Sequence, residues 1–337
     1  MHLPEKARSS ALSSDDSADK LRNYQKMTPD SPTSRPTIHK QVLTLSVLSL
    51  GYLLLSFILV GFKPDQLFLI ALVNGLYYAS TPTRKFIIGF SIFLVYWIIF
   101  DYMKAFPNYQ YAFVHIESLY SLEKTLFGIS DGQSILTPNE YWLAHRTPFL
   151  DILTGVLYLT WIPIPLLFGT YLFFRNRPAF FPFALTFVLV NFLGFVVYYL
   201  YPAAPPWYVQ LYGFTFHEHT PGNTAGLANF DRLVGVPIFA GIYAKSSNVF
   251  AAMPSLHSSY PVIVLYYGLK NRLGLVNVFF ALVMAGIWFS AVYNSHHYVL
   301  DVTGGLLSAL AGIILFNQLR RTSCLNAFMR WLLKLTV

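Results

Sequence analysis

Residues 297–317 read HYVLDVTGGLLSALAGIILFN, a run with a single charged residue, Asp301. A helix needs about 20 mostly apolar residues to cross the hydrocarbon core of a membrane, and this run has that length. An ionised group inside such a span is costly, so Asp301 needs a reason to be there. Four residues before it stands His297, which on a helix shares its face. A carboxylate one turn from an imidazole can fix its tautomer and raise its basicity. A buried His–Asp pair that only joins two helices is the other reading.

Working outward, the same length and apolarity recur at 41–62, 66–80, 86–103, 149–174, 179–201, 252–269 and 274–293. The run at 66–80 is short and interrupted by Gly75, and 149–174 contains Trp161-Ile162-Pro163-Ile164-Pro165, where a kink is expected. The fold predicted is therefore an all-α, polytopic transmembrane helix bundle of about eight spans. Composition agrees: 55% of residues are hydrophobic and 11% charged, where a soluble globular chain carries about 25% charged residues. A soluble enzyme and a wholly disordered chain are both excluded. A single cysteine, Cys324, excludes a disulfide framework and a cysteine-built zinc site. The net charge of +8 could suggest nucleic acid; in so apolar a chain it is better read as basic residues on cytoplasmic loops, with no nucleic-acid partner.

Residues 1–40 hold seven serines and four prolines without apolar periodicity, and read as a disordered tail. No apolar region near the start suggests a cleavable signal peptide. With the N-terminus inside, 17 of the Lys and Arg residues fall on inner segments and 6 on outer ones. The bias predicts both termini on the cytoplasmic side. Residues 318–337 carry Leu325, Phe328, Met329, Leu332 and Leu333 at helical spacing after Arg320-Arg321. That pattern fits an amphipathic helix on the inner membrane surface or an apolar contact with another copy. The chain is thus divided into a tail (1–40), N-terminal spans with an outer loop (41–144), a membrane core (145–317) and a cytoplasmic amphipathic tail (318–337).

The His–Asp pair has company. Between Lys245 and Lys270 there is no charged residue, yet His257 sits there in Met253-Pro254-Ser255-Leu256-His257-Ser258. Under the topology from charge counting, His257 opens the sixth span and His297 with Asp301 opens the eighth, all at the outer end. Three residues of catalytic type thus converge on one membrane face, which core packing alone does not require.

Pro-Ser-Leu-His followed some forty residues later by His-x-x-x-Asp resembles the PAP2 superfamily of lipid phosphatases and phosphotransferases. Further stretches resemble its inositol phosphorylceramide synthase branch: Tyr201-Pro202-Ala203-Ala204-Pro205-Pro206-Trp207-Tyr208, Pro221-Gly222 through Gly226-Leu227-Ala228 to Asp231, Phe250 through Ser258, and Tyr293 through Asp301. The resemblance covers about residues 145–317 and implies a six-helix catalytic core there. It implies phosphoryl transfer through a covalent intermediate, with His297 as nucleophile, Asp301 orienting it, and His257 acting as acid and then as base. It implies no metal and no cofactor. Two departures stand out. Where the wider superfamily has a Ser-Arg pair this chain reads Ser290-Ala291, and the superfamily's first basic motif is absent. A dianionic monoester needs more positive charge than a monoanionic diester, so the departures point away from simple phosphomonoester hydrolysis.

Substrate-binding candidates follow. Arg146, in His145-Arg146-Thr147-Pro148, could meet the phosphate or anchor the chain at the interface by snorkelling. Lys245 is a second cation, and Ser255 with nearby amides could hydrogen-bond the phosphate at a helix start. Asp151 is either a helix-start charge or a contact for inositol. His217 and His219 flank Glu218, a pattern read as an exposed loop rather than a metal site. On a helix, His296 would point about 100° from His297. The resemblance implies phosphatidylinositol as donor and ceramide or dihydroceramide as acceptor, with diacylglycerol released on the extracytoplasmic face. The alternatives are a lipid phosphatase using water and a non-catalytic lipid carrier or scramblase.

Overall fold

The computed structural model describes residues 38–245 and 248–337, so the reading of the N-terminal tail lies outside the described residues apart from its last three positions. The chain divides into two units, residues 1–55 and 56–337. In the first, the described part is the leading portion of helix α1 (Ile38–Val60), which leaves Leu43, Val47, Leu48, Leu50 and Leu54 exposed. A helix apolar all round is suited to lipid rather than water.

Among the described residues, the second unit contains the remaining helices. In chain order they are α2 (Pro64–Ala79), α3 (Thr81–Tyr102), α4 (Glu117–Phe127), α5 (Pro138–Ala144), α6 (Pro148–Leu159), α7 (Pro163–Arg175), α8 (Arg177–Leu200) and α9 (Pro206–Tyr212). They continue with α10 (Ala228–Val234), α11 (Ile238–Tyr243), α12 (Leu256–Lys270), α13 (Val276–Tyr293), α14 (Val299–Leu319) and α15 (Ser323–Thr336). A two-residue antiparallel hairpin, β1 (Ile129–Ser130) with β2 (Ile135–Leu136), sits between α4 and α5. Helix starts are written in the local sequence. Proline, whose missing N–H costs nothing in a first turn, opens α2, α5, α6, α7 and α9. Thr137, Thr147, Ser255 and Thr322 supply side-chain caps to α5, α6, α12 and α15.

Among the described residues, six helical segments are long and apolar enough to cross a membrane: His39–Val60, Thr81–Ala105, Pro148–Arg175, Arg177–Leu200, Val276–Tyr293 and Val299–Leu319. The chain is an integral membrane protein. Of the eight spans expected, α2 and α12 have 16 and 15 residues, shorter than the hydrocarbon core requires. Helix α12 packs against α8, α13 and α14, and most of its residues between Leu256 and Gly268 are buried, with His257, Leu265 and Tyr266 half-buried. A helix largely enclosed by protein need not match the lipid. The Pro148–Arg175 segment is broken at residues 160–162, where the two prolines predicted a kink, and the break separates α6 from α7.

The core of this unit is aromatic. Phe90, Phe173, Phe180, Phe183 and Phe187 interlock, with Phe173–Phe180 ring centroids at 5.3 Å and edge-on. The C-terminal segment forms α15, which lies on α3 and α8 with Leu332 and Leu333 against the same core. Its Phe328, Trp331 and Leu335 are exposed.

Candidate active site

The site is built where the start of α12 meets the turn between α13 and α14. Ser255 caps α12, its Oγ accepting from Ser258 N at 3.4 Å, which places His257 in the first helical turn. The Ser255 N–H donates to the Asp301 carbonyl at 2.9 Å, and Ser259 Oγ donates to the Gly305 carbonyl at 2.7 Å. These bonds draw α14 hard against the cap. A Cβ on Gly305 would lie 2.2 Å from the Ser255 carbonyl oxygen, so only glycine permits this approach.

The sequence reading put His297 and Asp301 one turn apart on a single helix. The structure differs: α13 ends at Tyr293, α14 starts at Val299, and His296 and His297 occupy the turn between them. Ser295 takes a left-handed φ of 58° to make that turn. The N–H groups of His296 and His297 then both donate to the Ala291 carbonyl, at 3.0 and 3.1 Å. Asp301 lies in the first turn of α14 and reaches back, its Oδ2 accepting from Tyr298 N at 2.8 Å. The same oxygen stands 3.5 Å from His297 Nδ1. At this separation the two are in ion-pair range without a hydrogen bond, and His297 Nδ1 and Asp301 Oδ1 are both buried without a hydrogen-bond partner. On the other side of the ring, His297 Nε2 is 3.1 Å from His257 Nδ1, so one histidine donates to the other. Three residues separated by up to 44 positions thus form one chain of contacts, Asp301–His297–His257, with Asp301 fully buried and the His297 side chain 7% exposed.

The break between α6 and α7 completes the wall. Trp161 meets His257 edge-on with centroids 4.3 Å apart, and Tyr158 lies 5.5 Å from it. His296 turns away from this chain. It stacks on Tyr243 at 4.6 Å and on Tyr158 at 5.6 Å, with Nε2 3.0 Å from the Thr224 carbonyl oxygen.

The candidate substrate-binding residues are distributed unevenly. Ser255 sits at the centre, as described. Arg146 and Asp151 are brought together, Nη2 to Oδ1 at 2.5 Å. The same guanidinium donates to the carbonyls of Gly226 and Tyr293 and to Asn294 Oδ1, and lies over the Tyr293 ring. Asp151 also accepts from Tyr293 Oη at 3.1 Å. Arg146 therefore ties three segments together just before the histidine turn. Lys245 is elsewhere, pairing with Asp65 at 2.7 Å where both side chains are 68% exposed. Among the described residues no three His, Cys, Asp or Glu side chains gather as a metal site.

Three residues of the 103–144 arm were not singled out from sequence. Asn139, fully buried, donates from Nδ2 to the carbonyls of Val292 (2.8 Å) and His297 (2.9 Å). Asn108, also buried, donates to the carbonyls of Tyr198 (2.8 Å) and Phe250 (2.9 Å). Glu123, buried as well, accepts from Val299 N at Oε1 (2.9 Å) and from Leu300 N at Oε2 (3.0 Å). Burial pushes its carboxyl up to about 7, the two amide bonds pull it down, and Asp301 adds to the rise. Nothing local to these residues marks them, because their partners are some 90 to 177 positions away.

Comparison with known proteins gives the following. The profile of the PAP2 superfamily matches residues 132–315. A phosphoinositol dihydroceramide synthase of Bacteroides thetaiotaomicron is 42% identical over 280 residues, covering 82% of this chain and 92% of that one. An inositol phosphorylceramide synthase of Candida albicans is 33% identical over 171 residues, covering 47% of this chain and 36% of that one. An inositol phosphorylceramide synthase catalytic subunit of Saccharomyces cerevisiae is 31% identical over 147 residues, covering 42% and 36% respectively. No solved structure matches.

Proposed function

The chain belongs to the PAP2 superfamily, and from that membership we propose that it is a lipid phosphotransferase moving phosphoinositol from phosphatidylinositol to ceramide or dihydroceramide. The observation that carries the chemistry is the Asp301–His297–His257 chain, with 3.1 Å between the two imidazoles. The head group and the acceptor rest on the names of the relatives, above all the Bacteroides protein, which is matched along most of both chains.

In the first step His297 Nε2 attacks the phosphodiester phosphorus, forming an N–P bond as the P–O bond to diacylglycerol breaks. Protonated His257 gives its Nδ1 proton to the departing oxygen. Asp301 accepts from His297 Nδ1–H, keeps Nε2 free to attack, and offsets the positive charge that develops on the ring. In the second step His257 takes the proton of the acceptor hydroxyl, whose oxygen attacks phosphorus and releases His297. Two histidines are needed because one cannot hold the phosphoryl group and carry the proton together. Since the two ring nitrogens touch, the rings part to admit the phosphoryl group between them. Residues 145–317 form the catalytic core on this reading, with Ser255 hydrogen-bonding the phosphate and Arg146 with Asp151 shaping the adjoining loop. The bias of basic residues supports cytoplasmic termini and a site opening to the opposite face.

The test uses purified protein in detergent with phosphatidylinositol labelled in its head group, with and without ceramide, for wild type and His297→Ala. Ceramide-dependent transfer of label to a new lipid, lost in the variant, supports the reading. Release of water-soluble inositol phosphate without ceramide would replace it with a hydrolase. Lipid movement between leaflets that survives His297→Ala, with no new product, would replace it with a carrier.

A further inference from the structure

The N-terminus of α14 is the mechanical base of the site, because it carries Asp301 and follows His297 by two residues. The first N–H groups of any helix lack partners within it. Here the Asp301 carboxylate takes the Tyr298 N–H, and the next two, Val299 and Leu300, go to the two oxygens of Glu123. Glu123 comes from α4, outside the stretch that the superfamily profile matches, and a fully buried carboxylate has no place in an extramembrane helix unless it is used. Beside it, Asn139 grips the His297 carbonyl from α5.

We propose that Glu123 is a positioning residue for the phosphotransfer: its carboxylate fixes the first turn of α14, and through it the distance from Asp301 to His297. The proposal rests on the phosphotransfer reading above. An ionised carboxylate accepts well at both oxygens, whereas a protonated one keeps a single good acceptor and so grips one of the two amides. The titratable groups around it are Asp301 and Tyr298 on the capped helix, Tyr120 and Lys124 on its own helix, and Glu140 on α5, which accepts from Tyr120. With the carboxyl raised to about 7, the two-handed grip is largely formed at pH 8 and is lost as pH falls through 7. Global stability runs the other way. A carboxyl whose folded pKa lies above its usual value gives stability that is full below the ordinary carboxylate range and lost as pH rises through about 7. Positioning and stability thus respond to pH with opposite signs, which separates them experimentally.

Full-length wild type, Glu123→Gln and Glu123→Asp are assayed for transfer between pH 5.5 and 8, alongside their thermal unfolding. Gln places an N–H₂ against a backbone N–H, so kcat should fall about 10- to 100-fold at pH 8 with KM little changed. The deficit should shrink toward pH 5.5, and Glu123→Asp should restore part of the rate. Backbone amide exchange at Val299 and Leu300 supplies a readout that needs no substrate. Corrected for intrinsic rates, protection in wild type should drop below pH 7 and be low at every pH in Glu123→Gln. Unchanged protection overturns the proposal whatever the activity. A pH-independent deficit that follows thermal stability overturns it too, leaving Glu123 a merely structural residue. Wild type that loses protection with pH yet makes no labelled lipid would sink the phosphotransfer reading and leave the cap itself standing.

Discussion

The bundle and the arm at 103–144 are held together by different physics. Between α3, α7 and α8 the contacts are between rings, Phe90, Phe93, Phe173, Phe180, Phe183 and Phe187, whose stacked and edge-on preferences add only about 0.5–1.5 kcal/mol per pair to the burial of apolar area. Between the arm and the catalytic segments apolar packing, as of Leu119 on Ala203 and Tyr298, is joined by hydrogen bonds from three buried polar side chains to backbone. Asn108 reaches the stretch leading to Ser255, Asn139 the histidine turn, and Glu123 the start of α14. Each makes two bonds that offset part of the cost of burying its polar head, the Oδ1 atoms of Asn108 and Asn139 being buried without a hydrogen-bond partner. Ring packing brings helices into contact over a broad range of positions. Paired hydrogen bonds at about 2.9 Å select one position out of that range, and phosphoryl transfer by a pair of histidines needs such selection.

This difference can be tested, and turnover gives the scale. The largest effect belongs to His297→Ala, which removes the atom that bonds to phosphorus. Transfer should fall by about 10⁴-fold or more at unchanged stability, measured under single-turnover conditions. Next comes Asn139→Asp, which keeps the volume but replaces the donating amide with an acceptor facing two carbonyls. Stability should drop by about 1–3 kcal/mol, and turnover by about 10- to 100-fold per folded molecule. In the bundle the outcome reverses. Phe180→Ala opens a cavity among rings that are fully buried and should cost about 3–5 kcal/mol of stability. The molecules that stay folded should turn over within about two-fold of wild type. Equal rate losses in the Asn139 and Phe180 variants would abolish the distinction between the two regions.

The sequence told most about what is periodic or local. Runs of apolar residues marked the helices, the two prolines after Trp161 marked the break in the fourth segment, and His257, His297 and Asp301 stood out as polar groups where none is cheap. Two things were hidden. The spacing of His297 and Asp301 suggested one helix, because four residues fit a helical turn equally well when a cap intervenes; Ser295 at positive φ and Tyr298 as cap carry no distinctive signature. The arm residues were hidden because a buried Glu123 and a solvent-facing glutamate in an amphipathic helix look alike until α14 is placed beside it. Arg146 shows the same limit. A lone arginine near the site suggested phosphate, while the structure occupies its guanidinium with Asp151, Gly226, Tyr293 and Asn294.

Lys245 gives the smallest effect and marks where the site ends. Sequence made it the second cation available to phosphate, twelve residues before His257. In the structure its ammonium meets Asp65 at 2.7 Å, with both side chains 68% exposed. Water competes for each partner at such a surface, salt screens the pair, and holding two long side chains in one geometry costs entropy, so little is gained by forming it. Lys245→Ala should therefore change kcat and KM by less than about two-fold. Any change should vanish at high salt, where exposed charges no longer act at a distance. A many-fold rise in KM that persists in salt would mean that Lys245 leaves Asp65 to meet the lipid phosphate. The boundary of the site would then lie beyond the three interlocked residues and the arm that aims them.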